Sequence, residues 1–221
     1  MFEESQFEEM IIQKRRARFT NGGFLSITDT EINGKHAKAV IERTANFFSL
    51  KDGKSELKGL WPIIVEVVTN VNNHASEKDA ERVPWLINTH EGLDGTIKVK
   101  SFCAIDLGMG IYESVSDKTN QWVASRKIRL KWMRDIRKDK TQNEFFKEHI
   151  PTGIESTTLE PKRGKGMKNI YQDAQGTIFR RFEIITNKAF IDIKNINRVI
   201  PDSETSFSGT IYYWEIALDQ L

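Results

Sequence analysis

WPIIVEVVTNVNNHA, residues 61–75, carries two patterns at once. At 3.6 residues per turn Ile63, Ile64, Val67, Val68 and Val71 fall into one apolar stripe, while Glu66, Asn70 and His74 recur at i, i+4 and i+8 on another face. Strict alternation is missing, so the β-branched residues do not make this a strand, and Pro62 stands in the first turn, where its absent N–H costs nothing. The stretch therefore predicts a helix with one packed face and one face bearing a carboxylate, amides and an imidazole. Taken alone, that polar face has a plain reading as a helix surface turned to water; glycine motifs further along the chain change its meaning.

Working outward, His36–Leu50 (HAKAVIERTANFFSL) places Ala39, Val40, Thr44 and Phe47 at helical spacing, and Asp52-Gly53 closes it. Before it, Phe24–Ile27 reads as a short strand between the turn signals Asn21-Gly22-Gly23 and Asn33-Gly34. Residues 3–9 are rich in Glu and give way to Lys14, Arg15, Arg16 and Arg18, the charge pattern of an exposed helix. His36 reads as a surface histidine. No histidine-kinase phosphoacceptor pattern follows it.

Downstream of the central helix, Val83–Asn88 reads as a strand. Gly92–Gly95 is a turn, and Thr96–Ile105 is a strand that grows more apolar toward its end. That strand runs directly into Asp106-Leu107-Gly108-Met109-Gly110, a carboxylate at a strand end with glycines at +2 and +4. Such a turn lets backbone approach a ligand closely, although a tight turn alone has the same spelling. The segment from Tyr112 to Pro161 changes character: between Arg126 and Glu148 there are nine Lys or Arg against four acids, interleaved with Ile128, Leu130, Trp132, Met133 and Ile136. It predicts one or two helices whose basic face is either solvated or turned to a partner. Then comes Lys162-Arg163-Gly164-Lys165-Gly166-Met167-Lys168-Asn169, two glycines opening a helix among cations, an arrangement suited to an anion such as phosphate. Neither a GxxxxGK[ST] loop nor a dinucleotide GxGxxG occurs. The chain closes with strands predicted at Gly176–Ile185, Ala189–Ile193 and Gly209–Ala217.

Composition bounds the rest. At 221 residues, 38% hydrophobic and 29% charged, the chain can bury one full core. Its formal net charge of +2 gives no global case for nucleic-acid binding, which leaves the basic run 126–148 as the place for such a contact. A single cysteine, Cys103, in an apolar strand reads as an inert thiol. No apolar run reaches the roughly 20 residues that span a bilayer, and the acidic start does not read as a secretory signal. The expectation is a cytoplasmic protein with no membrane partner.

The order of motifs is informative. Glu66-x-x-x-Asn70-x-x-x-His74 on a helix, Asp106-x-Gly108-x-Gly110 after a strand, a long variable segment, Gly164-x-Gly166-Met167 opening a helix, and Gly209-Thr210 starting a late strand together resemble the GHKL ATP-binding fold. That fold is shared by gyrase, a heat-shock chaperone, histidine kinases and a mismatch-repair protein, and the resemblance covers roughly Leu60 to Ala217. It implies an α/β two-layer sandwich with a mixed, mostly antiparallel sheet covered by helices on one face. Residues 1–59 would be an extension packed on that core, and 112–163 a long helical lid over the nucleotide.

By position the resemblance makes Asn70 the Mg²⁺ ligand and Asp106 the acceptor for the adenine amino group. Gly108 and Gly110 shape the base pocket with Thr210 along its side, Asn73 and His74 lie near the nucleotide, and Gly164, Lys165, Gly166 and Met167 cradle phosphates. Glu66 takes the place of the catalytic carboxylate. The implied cofactors are ATP and Mg²⁺. The implied activity is ATP hydrolysis or phosphoryl transfer to a small regulatory protein partner in a bacterial regulatory system, with a homodimer as a further association. Two alternatives stand beside it: a non-catalytic ATP-gated interaction module, and the catalytic domain of a split histidine kinase. The pattern also departs from the family, because the second glycine box lacks a third glycine and no separate domain offers a lysine to the γ-phosphate.

Overall fold

A computed structural model describes residues 25–29, 34–50, 57–74, 85–120, 140–152 and 166–218. Six strands form one sheet, β1 (Leu25–Asp29), β2 (Trp85–Asp94), β3 (Ile97–Asp106), β4 (Phe179–Asn187), β5 (Ala189–Asp192) and β6 (Phe207–Ala217), in the order β1-β2-β3-β6-β4-β5. Every neighbouring pair is antiparallel, so the sheet described is antiparallel throughout rather than mixed. Five helices accompany it: α1 (Gly34–Phe48), α2 (Leu60–His74), α3 (Ile111–Asn120), α4 (Gln142–His149) and α5 (Gly166–Ala174).

Strand register explains where the core lies. Phe102 on β3 stands opposite Trp214 on β6, which stands opposite Phe182 on β4, and one step along, Ala104, Tyr212 and Ile184 repeat the alignment. Side chains two residues apart share a face, so these rows form one continuous apolar surface. The first row is a stack of rings. Phe102 and Trp214 lie 5.0 Å apart at 4°, and Trp214 and Phe182 5.7 Å apart at 10°. Helix α2 lays Ile63, Ile64 and Val67 into the buried core that includes this face, each burial contributing roughly 1.5–3 kcal/mol relative to exposure. Residues Trp61 and Val65, one turn apart, point outward and are exposed, so the apolar stripe is narrower than the composition of the stretch suggests. In α1 the buried positions are Ala37, Val40 and Thr44, which moves the packed stripe off Ala39.

The β2–β3 hairpin is longer than expected. β2 runs through His90, Glu91 and Gly92 to Asp94, and the turn is confined to Gly95 and Thr96, with Gly95 at φ +63. At its far end Lys100 is buried and bonded to Glu91 at 2.7 Å, and Lys98 donates to the Phe47 carbonyl at the end of α1. Cations at a helix C-terminus complement its dipole.

The segment expected to be a lid contains two helices that belong to the core. Ser114 and Val115 of α3 and Phe145, Phe146 and Ile150 at α4 are buried, and Tyr112 meets Phe145 and Phe146 edge to face. Helix α4 is fixed at its start by a capping box between Thr141 and Glu144, and by the Asp202 carboxylate, which accepts from the N–H groups of Gln142 and Asn143. Only residues 121–139 and 153–163 of the expected lid remain to be placed. They lie outside the described residues, as does most of the basic run. The amino-terminal charged stretch is likewise outside them. Residues 25–50 supply an edge strand and a helix of the same core, joined to it by β1–β2 pairing and by α1 packing on α2.

Candidate functional site

Two groups of side chains meet at one end of the sheet. The first is built by the end of β3. Asp106 is the last residue of that strand, paired in register with Thr210 at the start of β6, and only 6% of its surface is exposed. Its carboxylate accepts hydrogen bonds from the Gly108 N–H at 3.0 Å and from the hydroxyl and backbone N–H of Thr210. Burial dominates these donors and pushes the carboxyl up to about 6. An aspartate held near neutrality in a buried site is one that a ligand donor, rather than a protein cation, is suited to satisfy.

The backbone around it is crowded. A Cβ on Gly209, at φ +137, would sit 2.2 Å from the Asp106 carbonyl oxygen, so only glycine lets β6 cross there. A Cβ on Gly110, at φ +82, would meet the Asn187 amide at 2.6 Å. Asn187, itself at φ +52 in the β4–β5 turn, donates from Nδ2 to the Met109 carbonyl at 2.8 Å and accepts at Oδ1 from the N–H groups of Tyr112 and Glu113. Thr186 accepts from the Ile111 N–H at 2.8 Å and donates to the Gly209 carbonyl at 3.1 Å. The loop 107–110 is thus clamped between β6 and the end of β4.

The second group faces from α2 to α5, two helices that pack together. A Cβ added at Gly166 would lie 2.8 Å from Glu66 Oε2 and 3.2 Å from Asn70 Oδ1, so the two oxygens converge on the first residue of α5 where no side chain intervenes. Asn169 donates from Nδ2 to Glu66 Oε1 at 2.8 Å. Asp173, one turn further, is held above the usual carboxylate range by partial burial and by the Glu66 charge.

Tyr212 joins the two groups. Its hydroxyl receives the Asn70 amide at 3.5 Å, and burial together with the charges of Asp106 and then Glu66 pushes the phenol up, so it stays neutral at any ordinary pH.

Of the residues singled out in the sequence, the structure therefore brings together Glu66, Asn70, Asp106, Gly108, Gly110, Gly166 and Thr210. Met167 is buried in the core beneath the start of α5 and offers packing rather than a side-chain ligand. Asn73 and His74 lie in the last turn of α2, but their side chains are outside the described residues, and so are Gly164 and Lys165 entirely. Sequence reasoning missed Thr186, Asn187, Asn169 and Tyr212. The only local signal among these was the Asn-Lys pair between two strands, a turn spelling that tolerates positive φ.

No protein-family model, curated protein or solved structure matches the chain. Among the described residues no helix is long and apolar enough to cross a membrane.

Proposed function

We propose that the chain is a GHKL-type protein that binds ATP with Mg²⁺ at this end of the sheet and hydrolyses it or transfers its phosphoryl group to a protein partner. The observation that carries the reading is the Tyr212 junction. Motifs separated by some forty to sixty residues in the chain come together around Tyr212: Asn70, beside Glu66 and Gly166, donates to its hydroxyl, and Asp106 pairs with Thr210, two residues before it on the same strand.

In this reading Asp106, ionised above about pH 6, accepts from the exocyclic amine of adenine, while Gly108 and Gly110 leave room for the base. Asn70 contributes an oxygen at the start of α5, and one neutral amide oxygen accords with Mg²⁺, which takes few protein ligands beside phosphates and water. When bound, the ion neutralises phosphate charge. The first turn of a helix has backbone N–H groups without partners inside the helix, so the start of α5 is a favourable place for phosphate oxygens. Glu66, held by Asn169, is placed to orient water or accept a proton from an attacking hydroxyl.

The test is turnover of ATP labelled at the γ-phosphate, by wild type beside Glu66→Ala. Loss of turnover with retained binding supports the catalytic reading. A wild type that binds ATP and leaves it intact, both alone and with its partner, replaces it with an ATP-gated interaction module.

A further inference from the structure

We propose that Thr186 and Asn187, which close β4, are positioning residues for the base pocket and make the pocket and the start of α3 a single hydrogen-bonded unit. The inference rests on the nucleotide reading above. It goes beyond it by assigning the shape of the pocket to a β-turn that holds Met109 and the start of α3.

The two side chains use every polar atom on the same small region. Thr186 is fully buried and Asn187 is 2% exposed, so each bond they make is made out of water and is costly to lose. Asn187 Nδ2 holds the Met109 carbonyl, its Oδ1 caps the Tyr112 and Glu113 N–H groups, and its amide fills the space above the Gly110 α-carbon. Thr186 Oγ1 takes the Ile111 N–H, donates to the Gly209 carbonyl and lies 3.4 Å from Thr210 Oγ1, the hydroxyl that donates to Asp106. With both hydroxyl protons so used, the path runs from Asp106 to Thr210, through the adjoining Gly209 carbonyl to Thr186 and the first turn of α3, and back through Asn187 to Met109 and Gly110. Asn187 also keeps a left-handed backbone, which a non-glycine residue holds only where surrounding bonds fix it.

The consequence is directional. Base binding at Asp106 stiffens the path that fixes the start of α3, and loosening the turn widens the base pocket. Residues 107–110 are otherwise held by the Gly108 N–H bond to Asp106 and by the Gly110 carbonyl, which accepts from the Ser114 N–H at 3.1 Å.

The test uses the full chain with Asn187→Gly, which accepts the same backbone but removes the amide. Thr186→Val, which keeps the shape but loses the acceptor, serves if the first variant does not fold. Asp202→Ala is the control, because it removes a cap on α4 whose carboxylate bonds Gln142 and Asn143 rather than residues 106–110. ATP binding is followed by calorimetric titration and turnover at saturating ATP. The expected result is a tenfold or greater loss of ATP affinity and a matching rise in KM for Asn187→Gly and Thr186→Val, with kcat within twofold of wild type. Asp202→Ala loses thermal stability and keeps its affinity. Affinity within twofold of wild type in Asn187→Gly or Thr186→Val overturns the inference, as does an equal loss in Asp202→Ala. A wild type that binds no ATP overturns the nucleotide reading and this inference together, whereas intact wild-type binding with unaffected variants overturns this inference alone.

Discussion

Asn169 Nδ2 stands 2.8 Å from Glu66 Oε1, joining the first turn of α5 to the middle of α2 across a sequence separation of 103 residues. The other carboxylate oxygen of Glu66 faces the α-carbon of Gly166, so α5 addresses both ends of the group. If Glu66 orients the attacking nucleophile, freeing its carboxylate lowers turnover more than binding. Asn169→Ala is expected to reduce kcat by about tenfold, and Glu66→Ala by about a hundredfold or more, with ATP affinity changed by less than about threefold in each. In the Glu66→Ala background the Asn169 substitution is expected to have no further effect, which a double-mutant cycle on kcat reads directly.

Gly166 offers a substitution in which stability and function separate. The preference for alanine over glycine, roughly 0.5–1 kcal/mol in a helix interior, weakens at the first helical position, and the atom the added Cβ meets first, at 2.8 Å, is the flexible end of Glu66. Gly166→Ala is therefore expected to melt close to the wild-type temperature while losing turnover, because the Glu66 carboxylate gives way. Paired thermal melts and kinetic runs on one preparation measure both.

Asp106 makes the pH dependence calculable in sign. Its carboxyl titrates at about 6 in the folded chain, against 3.8 for an ordinary aspartate, so the folded state holds its proton through a window in which the unfolded state has lost it. Stability is thus lost as pH rises from about 4 to 6, by about 3 kcal/mol for this group as an upper figure. Asp106→Asn is expected to be the more stable protein at pH 7, with the gap closing toward pH 4, as followed by denaturant titration at several pH values. The same titration predicts that wild-type ATP affinity falls below pH 6, as the acceptor becomes protonated.

At Gly209 no such compensation exists, since an added Cβ would press on backbone rather than on a side chain, 2.2 Å from the Asp106 carbonyl oxygen. Gly209→Ala is expected to cost about 2–3 kcal/mol, from the φ of +137 and the displaced strand together, and to weaken ATP binding because Asp106 moves with its carbonyl. Chemical denaturation and a binding titration test the two halves separately.

What the sequence made legible follows from periodicity. Helix α2 was readable because Ile63, Ile64 and Val67 repeat at its pitch, and β3 and β6 because Phe102, Ala104, Tyr212, Trp214 and Ile216 alternate into the core. Two glycine motifs marked the ends of β3 and the start of α5, because glycine is required where Gly110 and Gly166 meet Asn187, Glu66 and Asn70. Where a residue acts through partners far along the chain, no period records it. Asn187 bonds to residues some 75 positions away, and Asp202 caps a helix 60 positions before it. Nothing in the spacing of either announces those bonds. Helix α4 falls in the stretch expected to hold one or two helices, but its place in the core was hidden: Phe145 and Phe146 are buried, while Lys140, Lys147 and Glu148 around them made the stretch read as part of a charged lid. The β2 hairpin was cut short in the reading because Gly92 resembles a turn residue, although the chain passes through it in an extended strand and turns only at Gly95.

The most direct measurement is a calorimetric titration of the purified protein with ATP in the presence of Mg²⁺, beside GTP and beside Asp106→Asn. Saturable ATP binding that GTP does not reproduce, and that Asp106→Asn loses while remaining folded, is the predicted result. Failure of the wild type to bind ATP, or equal binding by Asp106→Asn, would contradict the assignment of this end of the sheet to an adenine nucleotide.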